Sequence, residues 1–520
     1  MGGNRAQLLA EAQALARTVR TRDWWLCTLA FAVTQLSTVL LNQSVFPLFA
    51  GVLLEARDIS TAVAFVVQLA LYLLSASHPR LFSPQVLLTT ALVLIAAGVP
   101  LMLLAVLIGS APLLVTSAVL RALGTVWTGT MAYLALVSLM RSSGRVATFS
   151  SLLVGWVLCY LGEAALLGAP TGACLTVFTL CLVAVPALAW RGSLPLVELT
   201  RRAEPEMDLR VTSPSSFVPL SHALFVTIIV LKSSFGFAMT FASAEDATPQ
   251  MTALACVPVL CVLLALGLSR RMSLNALYRA TLLCVLAGFL LVYPAVGDVT
   301  DVPQTANVVL RAGGDLTRTL AFMLVATVGA RNPVGALGVA LYVSAANSFG
   351  SMFGAWLGMA ANSVAAADPG MLALLLGGII FALVAYNVLS PDCFRLDEAA
   401  DALVEVAPIA PRPDGAGGAD GAGRASGVDG SPDDGADAGG IASARDIDVA
   451  SAEVARERGL TPREVETLTL LARGHSTQAI QDRMVISRGT AKTHIRNVYA
   501  KLGVHSQQEL IELVEGRLGE

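Results

Sequence analysis

Residues 85–108 read QVLLTTALVLIAAGVPLMLLAVLI, 24 positions without one charged side chain. A bilayer's hydrocarbon core takes about 20 such residues as a helix, while a buried helix of a soluble domain needs far fewer. This stretch therefore predicts a membrane-spanning helix. Working outward, similar runs occupy 24–50, 59–77, 112–139, 146–168 and 171–190, and after a polar break 221–241, 249–268, 275–296, 302–330, 335–360 and 368–390. The reading is an all-α, polytopic membrane protein of twelve spans in two sets of six. Composition agrees: of 520 residues 55% are hydrophobic and 14% charged, with a mean hydropathy of +0.70. A soluble domain carries about 25% charged residues. The balance excludes an ordinary soluble enzyme over most of the length, and wholesale disorder as well.

Charge between the runs tests the count. With a cytoplasmic N-terminus, fifteen arginines fall in inside segments, from Arg5 and Arg17 through Arg141, Arg145, Arg270 and Arg331 to Arg395. The outside loops hold only Arg57, together with Glu55, Asp58, Glu245, Asp246, Asp298, Asp301 and Asp368. That asymmetry follows the positive-inside rule and places both termini on the cytoplasmic side of the cell membrane. The first 22 residues, with Leu8, Ala12, Leu15 and Val19 on one stripe, read as an interfacial helix in contact with lipid rather than a cleaved leader. The eight cysteines lie in or beside apolar runs, without CxxC spacing, and predict no metal site.

Two six-helix halves joined by a cytoplasmic loop near 191–220 resemble the major facilitator fold. The resemblance covers roughly 20–395. Its Gly-, Asp- and Arg-rich loop motif between the second and third helices is replaced here by SASHPRLFSP (75–84). Ionisable residues inside spans are costly and face interior cavities or partners. Here they are Arg121, Glu163, Lys232, Arg311, Asp315 and Arg318. The last three share one helical face by their spacing. In the resembled fold, helices 1, 4, 7 and 10 line a central cavity, and helix 1 offers Gln35, Asn42 and Gln43 to it. That implies a ligand site of Gln35, Arg121, Lys232, Arg311, Asp315 and Arg318. Four cations against two acids suit a small anionic or hydroxyl-rich molecule; structural ion pairs are the competing reading. Glu163, off the cavity helices, is expected to pair with Arg121, with a proton-carrying role as the alternative.

From 397 the composition changes. Residues 411–440, PRPDGAGGADGAGRASGVDGSPDDGADAGG, carry no aromatic side chain, and 397–457 holds fourteen acids and four arginines. Such a segment reads as a disordered tether between a membrane domain, 1–396, and a C-terminal domain, 458–520.

The C-terminal domain reads as four helices. Thr461-Pro462-Arg463-Glu464 is a capping box with Pro at the first helical position, and Gly474 stops that helix. Ser476 caps a second helix with Ile480 and Met484 inward, Ser487 caps a third, and Ser506 with Glu509 announces a fourth. In the third helix Ala491, Ile495, Val498 and Leu502 form an inward stripe. Lys492, Thr493, Arg496 and Asn497 occupy the opposite face, flanked by Thr490, His494 and Lys501. Such side chains suit base edges and phosphates of double-stranded DNA.

The run LTPREVETLTLLARGHSTQAIQDRMVISRGTAKTHIRNVYAKLGVHS (460–506) resembles the LuxR-type helix-turn-helix. Leu460, Thr461, Glu464, Leu468, Gly474, Ile480, Thr490, Lys492, Thr493, Asn497, Lys501 and Leu502 are among the matching positions; Gln481 and Ala491 depart from it. The resemblance implies base contacts by Lys492, Thr493 and Arg496, and a homodimer on DNA formed by the last helix through Leu510, Leu513 and Val514. No receiver domain or catalytic constellation is evident, and no cofactor is expected. The combination resembles membrane-bound LuxR-type regulators with a transporter-like sensor. It implies a one-component transcriptional regulator, not an enzyme, that senses a small molecule in the membrane and acts on DNA, with RNA polymerase a further candidate partner. The alternative is a secondary transporter carrying a regulatory DNA-binding appendage.

Overall fold

A computed structural model describes residues 17–53, 55–202, 214–241, 253–268, 273–292, 304–389, 444–474, 480, 484, 488–504 and 507–517. These residues are helical almost throughout, contain no strand, and divide into two compact units, 17–389 and 444–517. The expected interfacial segment before residue 17, most of the tether, and the second helix of the C-terminal domain lie outside the described residues.

In the membrane unit, α1 is Arg22–Leu40, continued by a π-helical turn at Leu41–Val45 and a short segment Phe46–Ala50. Thr21 starts it: its Oγ1 accepts from the Trp24 amide at 3.3 Å. The helices α2 (Ala56–Ser77), α3 (Pro84–Ile108), α6 (Thr171–Arg202), α7 (Pro214–Thr240), α8 (Cys256–Leu268), α9 (Leu274–Val292), α10 (Gln304–Arg331), α11 (Ala336–Ala367) and α12 (Pro369–Leu389) are separate elements. Between α3 and α6, Ala111–Ala165 is nearly continuous, broken at Gly144 with φ 79° and ψ −177°. Only glycine adopts that backbone without strain, so α4 (111–143) and α5 (145–165) are distinct. Eight stretches among the described residues are long and apolar enough to cross a membrane, α4 and α5 scored together as one. The chain is thus an all-α protein with membrane-spanning helices. The expectation of twelve spans goes beyond that count.

Lipid supplies no hydrophobic drive between helices, so close packing depends on small residues that let backbones approach. The pair α7–α11 shows this. A Cβ on Gly354 would collide with the Ser233 carbonyl, and one on Gly236 with the Ser351 carbonyl. A Cβ on Gly350 would stand 2.9 Å from the Cβ of Lys232. This glycine seam fixes where α7 presents Lys232. Gly354→Leu should therefore force the two helices apart and lower the melting temperature of the purified protein, whereas Gly377→Leu, at a glycine with open space around it, should leave it near the parent value.

The C-terminal unit contains α13 (Ala444–Glu457), α14 (Pro462–Ala472), α15 (Arg488–Leu502) and α16 (Gln507–Glu515). The first of these corrects the sequence reading, which placed 444–457 in the tether. Ile447, Ala450, Ser451, Val454 and Ala455 fall at i, i+3, i+4, i+7 and i+8, one helical stripe. Ala450, Val454 and Ala455 are buried in one cluster with Leu468, Leu471, Leu510 and Val514, and Ile447 packs against it. Leu510 and Val514, expected at a dimer contact, are 0% and 1% exposed. The stripe of α16 is spent inside the unit because α13 and α14 both pack against it. Leu513 is only partly buried. Val454→Asp would place an unpaired carboxylate in that cluster. It should cost the unit several kcal/mol, on the order of 3, read as a lost thermal transition in circular dichroism of a 440–520 fragment.

Candidate functional site

Two regions carry chemistry, one in each unit. In the membrane unit, α5 and α10 face each other through three rungs. Trp156 Nε1 donates to Thr319 Oγ1 at 2.8 Å. The Tyr160 hydroxyl donates to Asp315 Oδ2 at 2.9 Å. Arg311 grips Glu163 with two nitrogens, at 2.8 and 2.5 Å. The rungs descend α5 at 156, 160 and 163 while they climb α10 at 319, 315 and 311, as antiparallel neighbours require. Helix α1 joins from the side: Gln43 Nε2 donates to Glu163 Oε1 at 2.8 Å, and Gln35 Oε1 accepts from Arg318 at 3.2 Å. The π turn at Leu41–Val45 supplies Gln43, and π turns frequently mark functional positions. Asp315 is shared, with Arg311 Nε at 3.6 Å and Arg318 Nη1 at 4.0 Å.

Beside this ladder lies a cavity of about 270 Å³ lined by α1, α2, α4, α7, α10 and α11. Its charged lining comprises Arg57, Asp58, Arg121, Lys232 and Arg318, and Gln35, Asn42, Ser60, Gln68 and Asn347 contribute polar groups. Tyr133 and Phe322, stacked with centroids 3.8 Å apart, form an aromatic wall. The structure thus brings four of the six expected ligand residues, Gln35, Arg121, Lys232 and Arg318, to one cavity. Arg311 and Asp315 do not line it, because Glu163 and Tyr160 hold them in the ladder. The expected partnership of Glu163 with Arg121 is also corrected. Arg121 donates to Ser60 Oγ at 2.8 Å, and Glu163 belongs to Arg311. Ser60, Tyr160 and Asn347 carry no sequence signal for these roles, since polar residues without charge stand out little in an apolar run.

In the C-terminal unit the capping box forms as expected. The Thr461 amide donates to Glu464 Oε2 at 2.8 Å. The same oxygen accepts from Lys501 Nζ at 2.7 Å, and Lys501 also reaches the Gly459 carbonyl at 3.2 Å. One carboxylate therefore ties the start of α14 to the end of α15. On α15, Val498 and Leu502 are buried in the cluster and Ile495 packs against it. Arg496 is exposed, with His494 and Asn497 partly so. Thr490, Lys492 and Thr493 lie on this helix, but their side chains are outside the described set.

Residues 458–514 match the family described as "Bacterial regulatory proteins, luxR family". The C-terminal unit carries a LuxR-type DNA-binding domain. Over 60 residues the chain is 42% identical to "HTH-type transcriptional regulator MalT" of Serratia proteamaculans (strain 568), covering 12% of this chain and 7% of that protein. The chain thus spans a small fraction of that relative's length. Solved structures similar to the membrane part include a point variant of the E. coli fucose:proton symporter FucP, with TM-score 0.44, 13% identity, 70% of this chain and 98% of that chain. A bacterial homologue of the iron transporter ferroportin in its outward-facing state aligns at 0.48 and 14%, over 72% and 99%. An auto-inhibited POT-family peptide transporter aligns at 0.46 and 11%, over 71% and 97%. At such scores the likeness names neither a cargo nor a mechanism.

Within the LuxR-type domain, Lys501 is held by two protein acceptors while its side chain stays 38% exposed. The Lys501 hydrogen bond, with the Thr461 amide second, pulls the Glu464 carboxyl down to about 2 from 4.5. A carboxyl lowered on folding adds stability that is complete above its unfolded value and is lost as pH falls through its folded value. Acid unfolding of the 440–520 fragment should therefore show a Glu464-dependent loss between about pH 4.5 and 2. Glu464→Gln should flatten that slope and cost about 1–2 kcal/mol at pH 7 through the lost charge opposite Lys501, since Gln keeps an oxygen for the Thr461 amide. An unchanged acid profile by circular dichroism would contradict the assignment.

Proposed function

We propose that the chain is a membrane-bound transcriptional regulator in which a small molecule, bound in the cavity of the membrane unit, controls the LuxR-type domain. The observation that carries the reading is one chain joining a DNA-binding domain to a membrane unit whose interior holds polar, charged, incompletely partnered groups. Residues 1–396 serve as the sensor and 397–443 as the tether. Control acts through the local concentration and pairing of DNA-binding domains on a two-fold site. The arginine distribution supports a cytoplasmic side for both termini in this reading. Lys492, Thr493, Arg496 and Asn497 read base edges, while Thr490 and His494 approach phosphates.

The ligand must bind one conformation of the membrane unit more tightly than another, or nothing is transmitted. A stop codon after residue 443 tests the reading. Transcripts that change on deleting the gene should change equally in the truncated strain, with the membrane unit still present. If transcripts are untouched while uptake of a solute depends on the membrane unit, the chain is a transporter with an appendage.

A further inference from the structure

We infer that the cavity beside Lys232 is an anion site for a small polyhydroxylated organic anion, its charged group seated on Lys232 and Arg121 and its hydroxyls on the opposite lining. The inference deepens the proposed sensor function and rests on it for its biological meaning, but not for its chemistry.

Charge carries the first step. Among the described residues of the membrane unit, the buried acids Glu163 and Asp315 face four buried cations, Arg121, Lys232, Arg311 and Arg318, and Arg57 with Asp58 adds one charge of each sign to the cavity lining. Glu163 is spent on Arg311 in a two-nitrogen grip, and Asp315 serves Arg311, Arg318 and the Tyr160 hydroxyl at once. Lys232 is 2% exposed, and its Nζ has no hydrogen-bond partner. Its ammonium stands 3.8 Å from the Phe235 ring centroid, with the Arg318 guanidinium 5.0 Å from the same centroid. Arg121 is 3% exposed; Ser60 takes one of its nitrogens and its Nε has no partner. An aromatic face offsets part of a cation's burial cost, but an uncompensated buried charge remains expensive. All three side chains line one cavity, so an anion there supplies the missing counter-charge.

The second step comes from the neutral groups. Asn347 lines the same cavity with a buried Oδ1 that accepts from nothing, so it calls for a donor. Thr34, Thr38 and Thr61 donate their hydroxyls to carbonyls of their own helices and Ser348 is paired with Gln68, which leaves hydroxyl oxygens along the lining to accept from a ligand's hydroxyls. A purely apolar acid would leave these groups facing hydrocarbon, and a neutral sugar would leave Lys232 uncompensated. A volume of about 270 Å³ lies just below the usual range of about 300–1,000 Å³ for pockets that take drug-sized molecules. It suits a sugar acid or a sugar phosphate rather than a peptide or a lipid tail. Carboxylate and phosphate monoester share the required chemistry.

The test uses the full chain in detergent, with thermal unfolding read at millimolar gluconate, glucose 6-phosphate, glucose and hexanoate. At least one of the two hydroxylated anions should raise the melting temperature by about 2 °C or more, as binding to the folded state alone demands. Which of them does so separates carboxylate from phosphate. Glucose and hexanoate should shift it little. Lys232→Gln should melt at or above the parent temperature without ligand, since it removes an unpaired cation, and should weaken binding of the anion at least about tenfold. The assignment is overturned if neither anion stabilises the parent, if glucose stabilises it equally, or if Lys232→Gln fails to fold. Anion binding without any change in target transcripts would leave the site standing and defeat the sensor reading. Transcripts that answer to glucose alone would do the reverse.

Discussion

Replacing Arg311 with Ala should remove most of the folded protein from the membrane. The substitution strands Glu163 in the interior, 1% exposed at its side chain, with only the Gln43 amide among the described residues still donating to it. Breaking a buried pair by deleting one partner costs about 3–5 kcal/mol, more than a hundredfold in the folded-to-unfolded ratio. Asp315 loses a neighbour at the same time. Membrane abundance and size-exclusion behaviour of a fluorescent fusion would report the loss. The double substitution Glu163→Gln with Arg311→Gln should recover much of it, because no unpaired charge remains. Tyr160→Phe, which removes one hydrogen bond to Asp315, should cost only about 1–3 kcal/mol. If Arg311→Ala were as abundant as the parent, the ladder between α5 and α10 would not hold the unit together.

The ladder also marks where sequence stops being informative. Apolar runs announce the helices directly, since span length and hydropathy are properties of each segment alone. The breaks at Gly144 and after Ile108 follow from local backbone chemistry. Glu163 and Arg311 are 148 positions apart, and nothing local says which of four cations an acid will meet. The same limit explains α16. A stripe of Leu510, Leu513 and Val514 declares an apolar face, but not whether a second copy or α13 covers it. Helix α13 itself is hidden by averaging: its 14 residues are amphipathic, yet they end a 61-residue stretch whose composition is Gly, Ala and Asp. The LuxR-type domain is the most legible part, because capping box, terminal glycine and inward stripe agree at every level.

Arg496→Ala should abolish most operator binding and its sequence preference. Arg496 is exposed on α15, opposite the buried Val498 and Leu502, so truncation leaves the cluster intact. A guanidinium that reads a base contributes about 1–3 kcal/mol of discrimination, or roughly 5- to 150-fold. Removing a cation that touches only phosphate would instead weaken all sequences alike and flatten the salt dependence. Gel shifts of the 440–520 fragment on specific and scrambled DNA at two salt concentrations separate the two roles. Lys501→Ala serves as the contrast: it should lower the melting temperature through Glu464, with little change in preference once the domain is folded. Unchanged affinity and specificity for Arg496→Ala would place the DNA-reading surface elsewhere on the unit.

If occupancy of the membrane cavity governs the DNA-binding domain, Lys232→Gln in the full chain should uncouple the two. Target transcripts and membrane abundance would be measured together in the parent, in Lys232→Gln and in Arg496→Ala, across media that differ in sugar acids and phosphates. Lys232→Gln should show parent-like abundance with transcripts frozen at one level in every medium, while the parent's vary and Arg496→Ala matches the gene deletion. Parent-like abundance with parent-like variation of the transcripts would contradict that control.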